Sequence, residues 1–206
     1  MKLSKLKLSM GLISLFIMIF IFSNTILSNN VYAGLNAKSL IPDIKKLWQS
    51  VKDNNWISDT SNVEISADIE VNGNGQVTNI NITTSAEGKD VLTSLSQSMI
   101  NQISAQGFFK MFSNVNKYRA SLKLTKSTTT FTLTCYTDSN KSANEIKDTL
   151  NGMIMLSKMM INKKSKYAKA SLLILKNTRV TKQDTKAVVT ITLSHDSTSE
   201  LIQSYL

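Results

Sequence analysis

The chain has 206 residues, with 24 Lys and Arg against 14 Asp and Glu, 42% hydrophobic residues, one His, one Cys and one Pro. That hydrophobic share supports a folded core and excludes a wholly disordered or collagen-like chain. A single Cys excludes a disulfide framework and any Cys-cluster zinc site, and a single His excludes the two-His zinc motifs.

Residues 1–33 follow the order of a secretory signal peptide. Lys2, Lys5 and Lys7 precede an apolar run from Met10 to Phe22, and Val31-Tyr32-Ala33 offers the residue sizes read at a cleavage site. Cleavage is expected between Ala33 and Gly34. The competing reading is an uncleaved N-terminal anchor, because the run lies near the lower limit for spanning a bilayer. The polar Ser28-Asn29-Asn30 stretch ahead of the cleavage site favours removal. The Lys-based leader and the Asn-, Lys-, Ile- and Ser-rich composition point to a Gram-positive bacterium, and hence to an extracellular or cell-envelope location. Residues 34–206 contain no Pro/Gly/Ser linker and are expected to form one compact domain.

Pro42 and Asp43 suit a first helical turn, after which Ile44, Leu47, Trp48 and Val51 share one face. Val63, Ile65, Ala67, Ile69 and Val71 then alternate with Glu64, Ser66, Asp68 and Glu70, as a half-buried strand requires. Asn72-Gly73-Asn74-Gly75 signals a tight turn, and a second strand follows with Ile80 and Ile82. The alternation recurs at Ala120, Leu122 and Leu124, at Phe131, Leu133 and Cys135, and at Val189, Ile191 and Leu193. These sets predict antiparallel hairpins with one solvated face.

Thr84-x-x-Glu87, Ser142-x-x-Glu145 and Ser197-x-x-Glu200 match the capping box, which predicts a helix after each hairpin. Apolar residues at helical spacing follow: Leu92, Leu95, Met99 and Ile103 after the first box, and Ile146, Leu150, Met153 and Leu156 after the second. The near-equal spacing of the boxes predicts an α+β fold of tandem αββ units. About three such units are expected, near 36–84, 85–137 and 138–194, plus a C-terminal helix, with antiparallel sheet covered by helices on one face. Lys117-Tyr118-Arg119-Ala120-Ser121-Leu122 echoes Lys166-Tyr167-Ala168-Lys169-Ala170-Ser171-Leu172 and supports a duplication. In the second copy residues 165–176 fit either a strand or a helix, the latter placing the next strand start near Thr178.

Charge divides the mature chain. Residues 34–108 carry five Lys against eight acids, whereas residues 109–206 carry sixteen Lys and Arg against six acids. The positive half predicts contact with an anionic wall polymer or lipid headgroups, centred on Lys163, Lys164, Lys166 and Lys169. Self-association of the negative half with the positive half is a further expectation. Two Arg and few interleaved aromatics argue against specific nucleic-acid binding.

The chemistry-bearing residues are sparse, so a non-catalytic binding or structural role is expected, with no cofactor and no metal. His195 and Asp196 are adjacent, and side chains of neighbouring residues diverge; a helix cap at Asp196 or Ser197 is the simpler reading, and a hydrolase the least favoured. Glu64, Asp68 and Glu70 share a strand face, the pattern of a solvated face as well as of a paired carboxylate or Ca²⁺ ligand set. Cys135 alternates with Phe131 and Leu133 and is expected to be buried and inert. Gly152–Ile161 is apolar almost all round, which predicts a central buried helix. The alternative function is carriage of an apolar, lipid-like ligand beneath that helix, lined by Met155 and Met159. Phe108, Phe109, Met111 and Phe112 form a second apolar cluster suited to closing the same core.

Overall fold

The structure is a computed structural model; it describes residues 63–85, 89–105, 107–125, 127–161, 168–194, 196–198 and 200. The leader, the expected helix at Pro42–Val51, Lys163, Lys164, Lys166 and His195 lie outside the described residues.

Six strands make one antiparallel sheet: β1 (Val63–Val71), β2 (Val77–Thr84), β3 (Val115–Leu124), β4 (Thr128–Thr137), β5 (Thr178–Gln183) and β6 (Lys186–Ser194). Their order across the sheet is β2-β1-β3-β4-β6-β5. Among the described residues, the helices α1 (Lys89–Ala105), α2 (Asn140–Met160) and α3 (Ala168–Lys176) accompany them. The α+β architecture expected from the hairpin-and-helix pattern is therefore present.

Each hairpin is local, and the sheet is made by laying the hairpins side by side. β1 pairs with β3 so that Ile65 faces Leu122, Ala67 faces Ala120 and Ile69 faces Tyr118. β4 pairs with β6 so that Phe131 faces Ile191 and Leu133 faces Val189. The alternating apolar residues consequently fall on one face, where Ile65, Ile69, Tyr118, Leu122, Phe131, Cys135, Val189 and Ile191 are all buried. The helices cover that face: Ile100 and Ile103 come from α1, Ile146, Leu150 and Ile154 from α2, and Ile174 and Leu175 from α3. A 3₁₀ turn at Phe108–Met111 closes the core, with the Phe109 ring 4.9 Å and the Phe108 ring 6.4 Å from that of Tyr118.

For the second and third boxes the capping hydroxyl sits three residues upstream of the one read from sequence. α2 is capped by Ser139, whose Oγ accepts from the Ser142 N–H at 3.1 Å and donates to Ser142 Oγ at 3.0 Å. Ser194 treats Ser197 alike, accepting from its N–H at 3.2 Å and donating to its Oγ at 3.0 Å, and Asp196–Thr198 is helical. Thr84 belongs to β2. These two junctions thus use Ser-x-x-Ser, in which the first hydroxyl meets an orphan N–H of the first turn.

The element order is β1β2, α1, β3β4, α2α3, β5β6, so the third hairpin is preceded by two helices and the second by one helix and the 3₁₀ turn. The sequence echo joins unlike places: Lys117–Leu122 is strand, whereas Ala168–Leu172 is helix. β5 starts at Thr178, in agreement with the helical alternative for the residues before it.

α2 is not buried all round. Ile154 and Ser157 face the sheet, while Met155, Leu156 and Met159 are 65%, 50% and 72% exposed. A helix in an outer layer has sheet on one side alone, so a fully apolar sequence leaves part of its surface in water.

The β1–β2 turn depends on one glycine. Asn72 Oδ1 accepts from the N–H groups of Asn74 and Gln76, both at 3.0 Å, and Gly75 donates to the Asn72 carbonyl at 2.8 Å. Gly75 is left-handed at φ +69°, and a Cβ there would lie 2.6 Å from the Lys110 backbone nitrogen. Gly73 has open space around it. Gly75→Ala is expected to cost about 2 kcal/mol or more in chemical denaturation, and Gly73→Ala to stay within about 0.5 kcal/mol of the parent.

Candidate anion-binding face of the sheet

Among the described residues all the helices lie on one side, and none covers the other face of the sheet. Its residues are those that alternate with the core positions, and the pairing registers line them up in transverse rows. One row runs Thr83, Ser66, Ser121, Thr132, Thr190 and Arg179. Five of its six members are small hydroxyl residues, and Ser66 and Thr83 are 2.7 Å apart, Oγ to Oγ1. In a flanking row Thr130 and Thr192 approach to 3.4 Å between their hydroxyls.

Beside these rows a column of acids meets a column of bases. Glu64 faces Lys123, Asp68 faces Arg119, and Glu70 faces Lys117. The Asp68–Arg119 pair is bidentate, with Nε donating to Oδ1 at 2.9 Å and Nη2 to Oδ2 at 2.6 Å; Lys117 Nζ lies 3.5 Å from Oδ1. The Arg119 guanidinium beside Asp68 holds its carboxyl below the usual carboxylate range, chiefly by hydrogen bonding. The acidic and basic halves of the sequence therefore meet along this strand pair within one chain.

The bases of the far side are not matched in this way. Arg179 and Lys186 form no ion pair among the described residues. Lys186 Nζ lies 5.1 Å from the Tyr136 ring centroid and Lys117 Nζ lies 5.8 Å from it, so two ammonium groups share one aromatic platform. Arg179 and Lys186 are four positions apart in transverse rows, roughly 13 Å along the strands. The open face thus combines hydroxyls able to donate or accept with cations that attract anions. A separate hollow of about 350 Å³ lies between the β1–β2 turn and the 3₁₀ turn, with Lys110 as its cation.

Of the residues singled out from sequence, Lys169 is exposed on α3, in the helical layer and thus across the sheet from Arg179 and Lys186. Met155 and Met159 are solvent-facing on α2. Glu64, Asp68 and Glu70 do share the open face, but both Asp68 oxygens are engaged by Arg119, and among the described residues no three His, Cys, Asp or Glu side chains converge as metal ligands. Cys135 is buried, and burial pushes its thiol up to about 12. Burial likewise raises the Tyr118 phenol, whose hydroxyl has no hydrogen-bond partner among the described residues. Sequence reading missed Tyr136, Lys186 and Arg179, although the residues alternating with Phe131, Leu133 and Cys135 are all Thr or Tyr.

No protein-family model matches the chain, and no match was found among curated proteins or among solved structures. Among the described residues no helix is long and apolar enough to cross a membrane.

Two outcomes follow from the ionisable groups. Asp68→Asn is expected to lower stability by about 0.5–1 kcal/mol at neutral pH, since the pair is partly exposed. The parent should lose that increment as pH falls through and below the ordinary value of 3.8, while the variant does not, in urea titrations from pH 7 to pH 2. At the other end, raised folded-state values mean that stability from neutral Cys135 and Tyr118 is complete below pH 9 and is lost as pH rises towards 12. Folded protein at pH 8 should leave Cys135 unlabelled by a thiol reagent, and urea should expose it.

Proposed function

We propose that the chain is an exported, non-catalytic binding protein of the cell envelope whose basic half holds an anionic wall polymer. In this reading residues 1–33 are a cleaved signal peptide, and the sheet's open face is the contact surface. The observation that carries it is the hydroxyl row ending on Arg179, with Lys186 and Lys117 around Tyr136 nearby. A polyol-phosphate chain alternates hydroxyls with phosphates. Ser and Thr would exchange hydrogen bonds with its hydroxyls, and the unmatched cations would meet its phosphates as point charges. Lys163, Lys164, Lys166 and Lys169 supply a second cationic stretch, represented on the helical layer by exposed Lys169.

The test is co-sedimentation of the purified protein with isolated Gram-positive cell walls across a salt series. Binding should weaken with salt. Arg179→Glu with Lys186→Glu is expected to reduce affinity about tenfold, as removal of two exposed charge contacts implies. Lys163→Glu with Lys164→Glu, run in parallel, separates the sheet face from the lysine-rich stretch at 163–169. Retention unchanged in both double variants would overturn the reading. Binding to anionic vesicles with none to walls would make lipid headgroups the target instead.

A further inference from the structure

The two edges of the sheet are guarded differently. β5, Thr-Arg-Val-Thr-Lys-Gln, places two cations in six residues, so two copies meeting there would bring like charges together. β2, Val-Thr-Asn-Ile-Asn-Ile-Thr-Thr, is eight residues long and contains no charge and no Pro, and its irregularity against β1 falls at Thr78, next to the turn, leaving Asn79–Thr84 in regular register. Charge, Pro, bulges and short length are the usual means by which an edge strand is kept from pairing with another chain. Among the described residues β2 forms the sheet's edge, with β1 as its one neighbouring strand. Ile80 and Ile82 are half-buried there, whereas the residues equivalent to them on β1, Ala67 and Ile69, are buried.

We infer that β2 pairs antiparallel with β2 of a second copy, about a twofold axis through Asn81, to make one continuous sheet across the dimer. The occupant is read from self-complementarity. With Asn81 opposite Asn81 of the second copy, Ile80 lies opposite Ile82, and Asn79 opposite Thr83. Directly opposed residues of an antiparallel pair share a face. The isoleucines would therefore meet on the helix-covered side, extending the apolar layer, and the Asn and Thr side chains would meet on the open side, where amide and hydroxyl pair without charge repulsion. A partner strand carrying charge would find no counter-charge on β2. The junction would also follow the rule by which this sheet is already assembled, since hairpins lie side by side through antiparallel β1·β3 and β4·β6 pairs. An isologous contact of this kind closes on itself and stops at two copies. The open faces would then run on across the axis, doubling the surface.

Register makes the inference testable. Opposed residues of an antiparallel pair have Cα atoms about 4.5–5.5 Å apart, within disulfide reach. The sole native thiol, Cys135, is buried. Asn81→Cys and Asn79→Cys each place a new thiol at an exposed position. The protein as processed by an exporting bacterial host would be oxidised at low micromolar concentration and read by non-reducing electrophoresis, with sedimentation velocity on the parent. Asn81→Cys should form a covalent dimer nearly quantitatively, whereas Asn79→Cys should cross-link at least tenfold less, because its own counterpart lies four residues away along the strand. The parent should sediment as a dimer, and Asn81→Lys, which opposes two ammonium groups at the axis, should sediment as a folded monomer. A parent that is monomeric at tens of micromolar, equal cross-linking of the two Cys variants, or a dimer unaffected by Asn81→Lys would each overturn the inference.

Discussion

The pairing of β1 with β3 is the contact on which the sheet depends. Hairpins form between neighbours in sequence, but β1 and β3 are separated by β2, α1 and the 3₁₀ turn, and nothing local dictates how they align. Two properties of the side chains do. Beneath the sheet, Ile65, Ala67 and Ile69 lie against Leu122, Ala120 and Tyr118; above it, Glu64, Asp68 and Glu70 lie against Lys123, Arg119 and Lys117. A slip of one residue would carry an acid into the core. A slip of two would keep the faces but separate Asp68 from the bidentate grip of Arg119 and place like-sized hydroxyls opposite charges. The apolar layer supplies the stability, because exposed ion pairs contribute little. The charge ladder contributes alignment.

Once that alignment is set, the two faces acquire different characters. Among the described residues the covered face is closed by α1, α2 and α3 and by Phe108 and Phe109, whose rings are tilted against that of Tyr118, and it takes up Cys135 and Tyr118. Cys135 and the Tyr118 hydroxyl are held neutral there by the cost of charging them away from water. The open face keeps whatever the core does not use: hydroxyls on the middle strands, matched charges on β1 and β3, and surplus cations towards β5 and β6. The surplus exists because the acids are spent on one strand while the bases continue beyond it. On the helical layer, Met155 and Met159 of α2 are exposed.

Much of this was legible in the residues alone. Period-two alternation identified β1, β4 and β6 and their inward residues, because each faces the core on one side and water on the other, which is the condition that writes alternation into a sequence. Burial of Cys135 followed from its phase with Phe131 and Leu133. The second and third capping boxes misplaced the cap by three residues, since Ser and Glu are common and the Ser-x-x-Ser geometry used at Ser139 and Ser194 leaves no distinctive signature. The Met-rich stretch misled for a related reason: hydrophobicity reports the preference of a residue, not whether a neighbour is present to satisfy it.

The amino-acid sequence by itself determined the hairpins, the helical segments, the inward and outward sides of each strand and the uneven distribution of charge, all of which depend on near neighbours and on the opposition of apolar and polar groups. Tertiary structure decided which hairpins lie beside one another, and with that everything shared between strands: the hydroxyl row from Thr83 to Thr190, the Tyr136 platform between Lys117 and Lys186, the meeting of acids and bases, and the choice of β2 and β5 as edges. Those features join residues far apart along the chain. They arise from the registers that best bury one face, a global optimum that no local stretch of sequence encodes.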